Sequence, residues 1–295
     1  MRTLITGASG LIGSALLESL HAKGHAIRCL QRNKKNSAST IWNTDVFAQQ
    51  ENEDNFDTII HLAGENVADG RWNESRKKRI MESRIKGTRE LIELLGKLSN
   101  PPATFICASA IGYYGNRGSE LLTEESEAGK GFLAEVCKKW EVEAQKAQEI
   151  GCRVVNLRFG MVLSPGGGAL HKMLPPFKAG LGGPIGNGKQ YMSWVSIRDL
   201  VEIVDFAIND DSLNGPVNVV SPVPVTNREF TRCLAGVLGR PALLPVPPFA
   251  LRLMFGEMAD EMLLAGSRVK PEKLISSGYS FQDVNLSETL RFCTS

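Results

Sequence analysis

The stretch Leu4-Ile5-Thr6-Gly7-Ala8-Ser9-Gly10-Leu11-Ile12-Gly13 decides the fold. Leu4 and Ile5 belong to a short apolar strand, the glycines follow, and Leu11, Ile12, Ala15, Leu16 and Leu20 then keep helical spacing. A strand, a glycine-rich turn and a helix in that order suit a pyrophosphate. Gly7 permits the tight turn, Gly10 lets the backbone approach the ligand, and Gly13 lets the helix pack close to the strand. The free N–H groups of the helix start, at Leu11 and Ile12, then face the anion.

Outward from this turn, strands and helices alternate. Strands are expected at 2–6, 25–31, 57–62, 104–108 and 152–157. Helices are expected from the glycine turn to about Lys23, over 73–98 as one long or two abutting helices, and over 131–150. Gly24 and the pair Pro101-Pro102 supply stops. This alternation implies an α/β, Rossmann-type doubly wound parallel sheet, with ligand bound beyond the C-terminal ends of the strands.

Composition changes at Ser164. The glycines at 166–168 and 180–188, with Pro165, Pro175, Pro176 and Pro184, predict irregular, loop-rich structure. A strand and helix return over 194–207, a further strand is expected at 216–220, and a mainly helical tail follows Pro222. Thr226 and Glu229 form a capping box for a helix over 226–238, and another helix is expected over 247–265. The organisation read from this is a dinucleotide-binding domain at 1–165, to which 190–221 return, and a smaller substrate-side domain made of 166–189 and 222–295.

The gross numbers narrow the function classes. The chain has 295 residues, 42% hydrophobic and 22% charged, with a formal net charge of +2. Such a balance carries no electrostatic footprint of a nucleic-acid binder. No apolar run is long enough to span a bilayer, and the first strand is not a signal peptide. Six cysteines, at 29, 107, 137, 152, 233 and 293, show no metal-like or redox-like spacing. Reduced thiols in a cytoplasmic protein are expected, and no metal site is.

The end of the second strand decides the cofactor. An acidic residue there would hold a ribose 2′-hydroxyl, but the chain has Gln31-Arg32-Asn33-Lys34-Lys35. Arg32 can pair with a 2′-phosphate through its planar fork, so NADP(H) is expected over NAD(H). After the third strand, the small Leu62-Ala63-Gly64 lets the backbone lie against the adenine and phosphates. His61, inside an apolar strand, reads as a packed core residue.

These motifs, with Ser109 after strand four and Arg158-Phe159-Gly160 after strand five, resemble the extended short-chain dehydrogenase/reductase superfamily over nearly the whole chain. Leu62-Ala63-Gly64-Glu65-Asn66, Arg71-Trp72-Asn73, Ser83-Arg84 and the run from Gly180 to Gly186 look like an atypical branch of it, the "epimerase family protein" (YfcH-like) group with a C-terminal domain of unknown function. The resemblance implies four catalytic groups: a tyrosine, a lysine four residues later, a serine or threonine, and an asparagine. Aligned on Glu141, Leu133 stands at the tyrosine position and Cys137 at the lysine position. Ser109 keeps its place, Arg84 replaces the asparagine, and Val162 should lie by the nicotinamide carboxamide.

The catalytic candidates are therefore Ser109, Tyr113 or its neighbour Tyr114 on the loop after strand four as a substitute proton donor, and Cys137 as a thiolate if Arg84 lowers its pKa. Arg84 is otherwise expected on cofactor phosphate or ribose, and Glu65 and Asn66 at the site mouth could bind substrate. An NADP-dependent oxidoreductase or epimerase-like enzyme on a small carbonyl or sugar-type substrate is the first reading. A non-catalytic NADP(H)-binding sensor or scaffold is the alternative. Extended members of the superfamily are often homodimers through helices matching 73–98 and 131–150.

Overall fold

The computed structural model describes residues 1–31, 42 and 55–295. Six parallel strands form the central sheet: β1 (Arg2–Thr6), β2 (Ala26–Leu30), β3 (Thr58–His61), β4 (Thr104–Ala110), β5 (Arg153–Phe159) and β6 (Gly215–Val219). Their order is β2-β1-β3-β4-β5-β6, so the direction of winding reverses at β1/β3. Register places Thr6 opposite both Leu30 and His61, and Ser109 opposite Arg158. The strands read as continuous apolar runs because both faces of the sheet are covered. Leu4, Ile5, Ile59, Ile60, Phe105, Ile106, Val154 and Val155 are fully buried.

Helices α1 (Leu11–Ala22), α2 (Glu74–Leu95) and α3 (Phe132–Gln145) follow β1, β3 and β4. The expected 73–98 segment is one helix. Asn73 caps it, its side chain accepting from the Arg76 N–H at 2.8 Å. Helix α2 packs beside α3. Tyr113 and Tyr114, expected in a loop, lie in a short 3₁₀ turn at Ile111–Tyr114.

The segment expected to be irregular after Ser164 contains α4 (Gly168–Lys178), with Pro175 and Pro176 inside it. Proline normally breaks a helix interior. These two stand in the last turns, where their carbonyls still accept from the Ala179 and Leu181 N–H groups at 3.1 and 2.9 Å. Burial of Leu170 and Phe177 holds the helix in place. Next come α5 (Ile197–Asn209), which packs beside α1, and α6 (Asn227–Leu238). The Thr226–Glu229 capping box is present. The helix expected over 247–265 is interrupted: α7 (Pro248–Phe255) ends at Gly256, and a π-helical turn spans Ala259–Leu263. Helices α8 (Glu272–Ser276) and α9 (Leu286–Thr294) complete the chain.

A second core joins Leu163, Leu170, Phe177, Trp194, Phe230, Leu234 and Leu290. Asp199, in the first turn of α5, fixes the tail to the sheet domain. Its carboxylate accepts from the Gln282 and Asp283 N–H groups at 2.9 and 2.8 Å and from the Tyr279 hydroxyl at 3.1 Å. Among the described residues, no helix is long and apolar enough to cross a membrane.

The glycine turn is built by contact. Gly7 has φ +73°, and a β-carbon on it would stand 2.9 Å from both the Ala63 nitrogen and the Leu62 carbonyl carbon. A β-carbon on Gly13 would stand 2.3 Å from the Gly7 oxygen. At Gly10 the same test meets only the Gly7 oxygen, at 3.4 Å. Gly13→Ala is therefore expected to cost about 1–3 kcal/mol, the usual range for overpacking, and Gly10→Ala much less. Urea unfolding of the two variants checks the contrast.

Candidate functional site

The reversal of winding leaves a crevice past the C-terminal ends of β1 and β3, where open α/β sheets take their ligands. The glycine turn forms one wall and Leu62-Ala63-Gly64 the other. Gly10 is exposed and no side chain caps α1, so the first N–H groups of α1 are free for an anion. Leu11 and Ile12 are half-buried behind it, and Gly166-Gly167-Gly168 return to pack on Leu11. Gln31 follows β2 and is exposed, while Arg32 lies outside the described residues. Val162 is half-buried in a short strand, Met161–Leu163, paired in parallel with Trp194–Ser196. These features fit a dinucleotide: room for a backbone–phosphate contact, an uncapped helix start, and no carboxylate at Gln31.

His61 lies under this crevice. Thr88 gives its proton to the Arg84 carbonyl at 2.6 Å, so it accepts from His61 Nε2 at 3.0 Å and from Trp140 Nε1 at 2.9 Å. His61 Nδ1 then accepts from the Thr6 hydroxyl at 2.7 Å. Burial, reinforced by Arg84, pushes the His61 pKa down to about 3. The ring is a neutral, fully partnered part of the core.

Arg84 and Cys137 meet beside it. One terminal nitrogen of Arg84 donates to the Glu65 and Ile80 carbonyls at 3.0 and 3.1 Å, and the guanidinium sits 4.9 Å from the Trp140 ring centre. Burial draws its pKa below the ordinary value, against the favourable fields of Cys137 and Glu65. The expectation of a Cys137 thiolate is corrected. Burial first, and then Glu141, push the thiol up to about 11, outweighing Arg84 and hydrogen bonding from Ala110 and Ser109. Cys137 is a neutral thiol at pH 7.

Ser109 is corrected in a similar way. It is only 3% exposed, and its hydroxyl donates to Glu141 Oε1 at 2.6 Å rather than facing open space. Glu141 also receives a two-pronged pair from Arg158, at 2.8 Å on each oxygen. The third Arg158 nitrogen donates to the Tyr114 hydroxyl at 2.9 Å, and Tyr114 donates onward to Asn218 Oδ1 at 2.7 Å. Burial works against the Arg158 charge, but Glu141 and Tyr114 hold its pKa above the ordinary value. Burial raises Tyr114 to about 12 against the pull of Arg158. Tyr113 differs. It is half-buried, its ring lies 3.5 Å from the Arg158 guanidinium, and its hydroxyl has no hydrogen-bond partner among the described residues.

Glu65 and Asn66 are engaged locally. The Glu65 carboxylate lies 3.6 Å from Arg79 and its N–H donates to Ser83. Asn66 accepts from the Ala68 N–H at 2.9 Å and donates to Asp69 at 2.8 Å, so it shapes its own turn. Trp72 packs edge-on against Phe132, at 5.2 Å between ring centres.

Sequence reasoning assigned no role to Glu141, Arg158 or Glu261, and it offered Tyr114 as a proton donor without its bonds to Asn218 and Arg158. An arginine at the end of the apolar β5 was a usable signal for the buried pair. Glu261 gave none. It reaches from the π-helical turn to the start of α3, where its carboxylate accepts the Phe132 and Leu133 N–H groups at 2.8 and 3.0 Å. Gly131, with φ +109°, makes room, since a β-carbon there would meet Glu261 Oε1 at 2.2 Å. The adjacent Glu257 pairs with Lys77 of α2 at 2.6 Å.

The family model for the NAD dependent epimerase/dehydratase family matches residues 3–220. The chain belongs to that family. A second model, Domain of unknown function (DUF1731), matches residues 246–293 of this epimerase-family chain. The epimerase family protein Mb2239 of Mycobacterium bovis is 43% identical over 293 residues, covering 98% of this chain and 96% of that protein. YfhF of Bacillus subtilis, another epimerase family protein, is 37% identical over 287 residues, covering 95% of this chain and 94% of its own. The crystal structure of human epimerase family protein SDR39U1 (isoform 2) with NADPH superposes with a TM-score of 0.88 at 34% identity. That match covers 99% of this chain and 98% of the human one.

The buried His61 of this family member generates a pH dependence. Its folded pKa lies below the ordinary 6.5. As pH falls below 6.5 the unfolded chain takes up a proton that the folded one refuses, so stability is lost until about pH 3. One such group contributes a slope of at most about 1.4 kcal/mol per pH unit. In urea unfolding between pH 7 and 4, His61→Gln is expected to show a shallower loss than the parent.

Proposed function

We propose that the protein binds NADP(H) in the β1/β3 crevice and uses it to reduce or oxidise a small carbonyl- or sugar-type substrate. The observation that carries the reading is the glycine wall: Gly7 and Gly13 packed against their neighbours, open space before Gly10, and an uncapped α1. The NADPH in the human relative, which shares the whole length of the chain, supports the choice of dinucleotide. So do Gln31, where an NAD-selecting carboxylate would stand, and the Arg32 that follows it.

Bound NADPH supplies a hydride to a carbonyl carbon. The proton for the carbonyl oxygen must come from this chain, and Leu133 and Cys137 stand where the superfamily keeps its tyrosine and lysine. Tyr113 is the donor this geometry favours. Its hydroxyl is uncommitted, whereas Tyr114 is bound to Asn218 and Arg158. The pair Glu141–Arg158 holds the Tyr113 ring by stacking, and Ser109 holds Glu141. Ser109 is thus a positioning residue in this reading.

A second reading, a dinucleotide-binding sensor or scaffold without turnover, draws on the neutral Cys137 thiol at the lysine position. As for a homodimer through α2 and α3, Val142 is the one large apolar residue exposed on those two helices.

Turnover separates the readings. With a panel of small aldehydes, ketones and keto-sugars, oxidation of NADPH is expected, and Tyr113→Phe is expected to lower it by about 10²–10⁴-fold while leaving dinucleotide affinity intact. Tight binding with no oxidation by any carbonyl favours the sensor. Full activity in Tyr113→Phe removes Tyr113 from the chemistry.

A further inference from the structure

Arg84 brings to the crevice a half-buried positive charge that draws on the field of Glu65 but, among the described residues, forms no ion pair. Its guanidinium lies flat against the Gly64 backbone, where a β-carbon would come within 3.0 Å of Cζ and 3.1 Å of one terminal nitrogen. The other terminal nitrogen is spent on two main-chain carbonyls. The carboxylate whose field favours it, Glu65, is shared with Arg79, which lies 3.6 Å away. Besides Glu65, the titratable side chains that act on it are His61, Cys107 and Cys137, and burial keeps all three neutral. An arginine cannot shed its proton to relieve this. Desolvating a charge that has no ion pair of its own costs stability, so its retention here points to a use.

Its place suggests that use. Gly64 follows β3, and Cys137 lies beside Gly112, just past β4. A dinucleotide crossing the switch point puts its adenosine half toward β2 and its other half toward β4. Arg84 is therefore on the nicotinamide side, away from the 2′-phosphate. The nicotinamide ring carries one positive charge when oxidised and none when reduced.

We propose that Arg84 makes the site select the reduced dinucleotide, by repelling the charged ring of NADP⁺ and sparing the neutral ring of NADPH. This rests on the NADP(H) reading above and adds a redox preference to it. Substrate reduction gains from it because the oxidised cofactor is released readily, and a sensor would report the reduced pool.

Calorimetric titration of the full chain with NADPH and with NADP⁺ tests it, on the parent, Arg84→Lys and Arg84→Met. The parent is expected to bind NADPH at least tenfold more tightly than NADP⁺, about 1.4 kcal/mol. Arg84→Lys is expected to keep the ratio, and Arg84→Met to bring it toward one, chiefly through tighter NADP⁺ binding. Equal affinities in the parent overturn the proposal without any variant. An equal loss of both affinities in Arg84→Met also overturns it and assigns Arg84 to a ribose or phosphate. If the parent binds neither form, the NADP(H) reading fails first.

Discussion

Backbone against backbone at the reversal of the sheet is the contact on which the rest depends. The Gly7 peptide passes so close to Leu62 and Ala63, and α1 so close to the turn at Gly13, that no side chain fits at either glycine. That closeness aims the open end of α1 across the tips of β1 and β3. It also fixes what can be bound there, because the space in front of Gly10 is left to whatever the uncapped N–H groups attract. The helix dipole and the free donors act together on an anion.

Beyond the crevice, positive charge reaches the site from two sides, from α2 as Arg84 and from β5 as Arg158. The two are handled differently. Arg158 is matched on both prongs by Glu141, with the pair 3% and 10% exposed, and stacks on Tyr113. Breaking such a buried pair by removing one partner costs about 3–5 kcal/mol, so it fixes geometry more than it donates charge. Arg84 has only the field of Glu65, which it shares with Arg79. The C-terminal unit takes part through Glu261, which caps α3 across the chain and so ties the tail to the helix that carries Leu133 and Cys137.

Local signals made much of this readable from the sequence. The glycine turn, the parallel alternation of strands and helices, the Thr226–Glu229 capping box and the core character of His61 all rest on neighbours close in sequence, and each appears in the structure. What was not legible depends on contacts between distant segments. Helix α4 survives two prolines because Leu170 and Phe177 are buried by a second core. Ser109 faces Glu141, 32 positions away, rather than the site. The thiol of Cys137 stays neutral because burial outweighs a nearby guanidinium, a balance that spacing along the chain does not express. Glu261 caps a helix 129 positions before it.

The most direct test of the central claim, a 2′-phosphate-bearing dinucleotide in the β1/β3 crevice, is thermal unfolding with NADPH, NADP⁺, NADH and NAD⁺ side by side. A ligand at about 100 times its dissociation constant adds roughly 2.7 kcal/mol to the native state, which for a chain near this size raises Tm by roughly 5–10 °C. The account expects a shift of that order with NADPH and little with NADH at the same concentration. No shift with any of the four would contradict it and leave a dinucleotide-type fold serving another ligand.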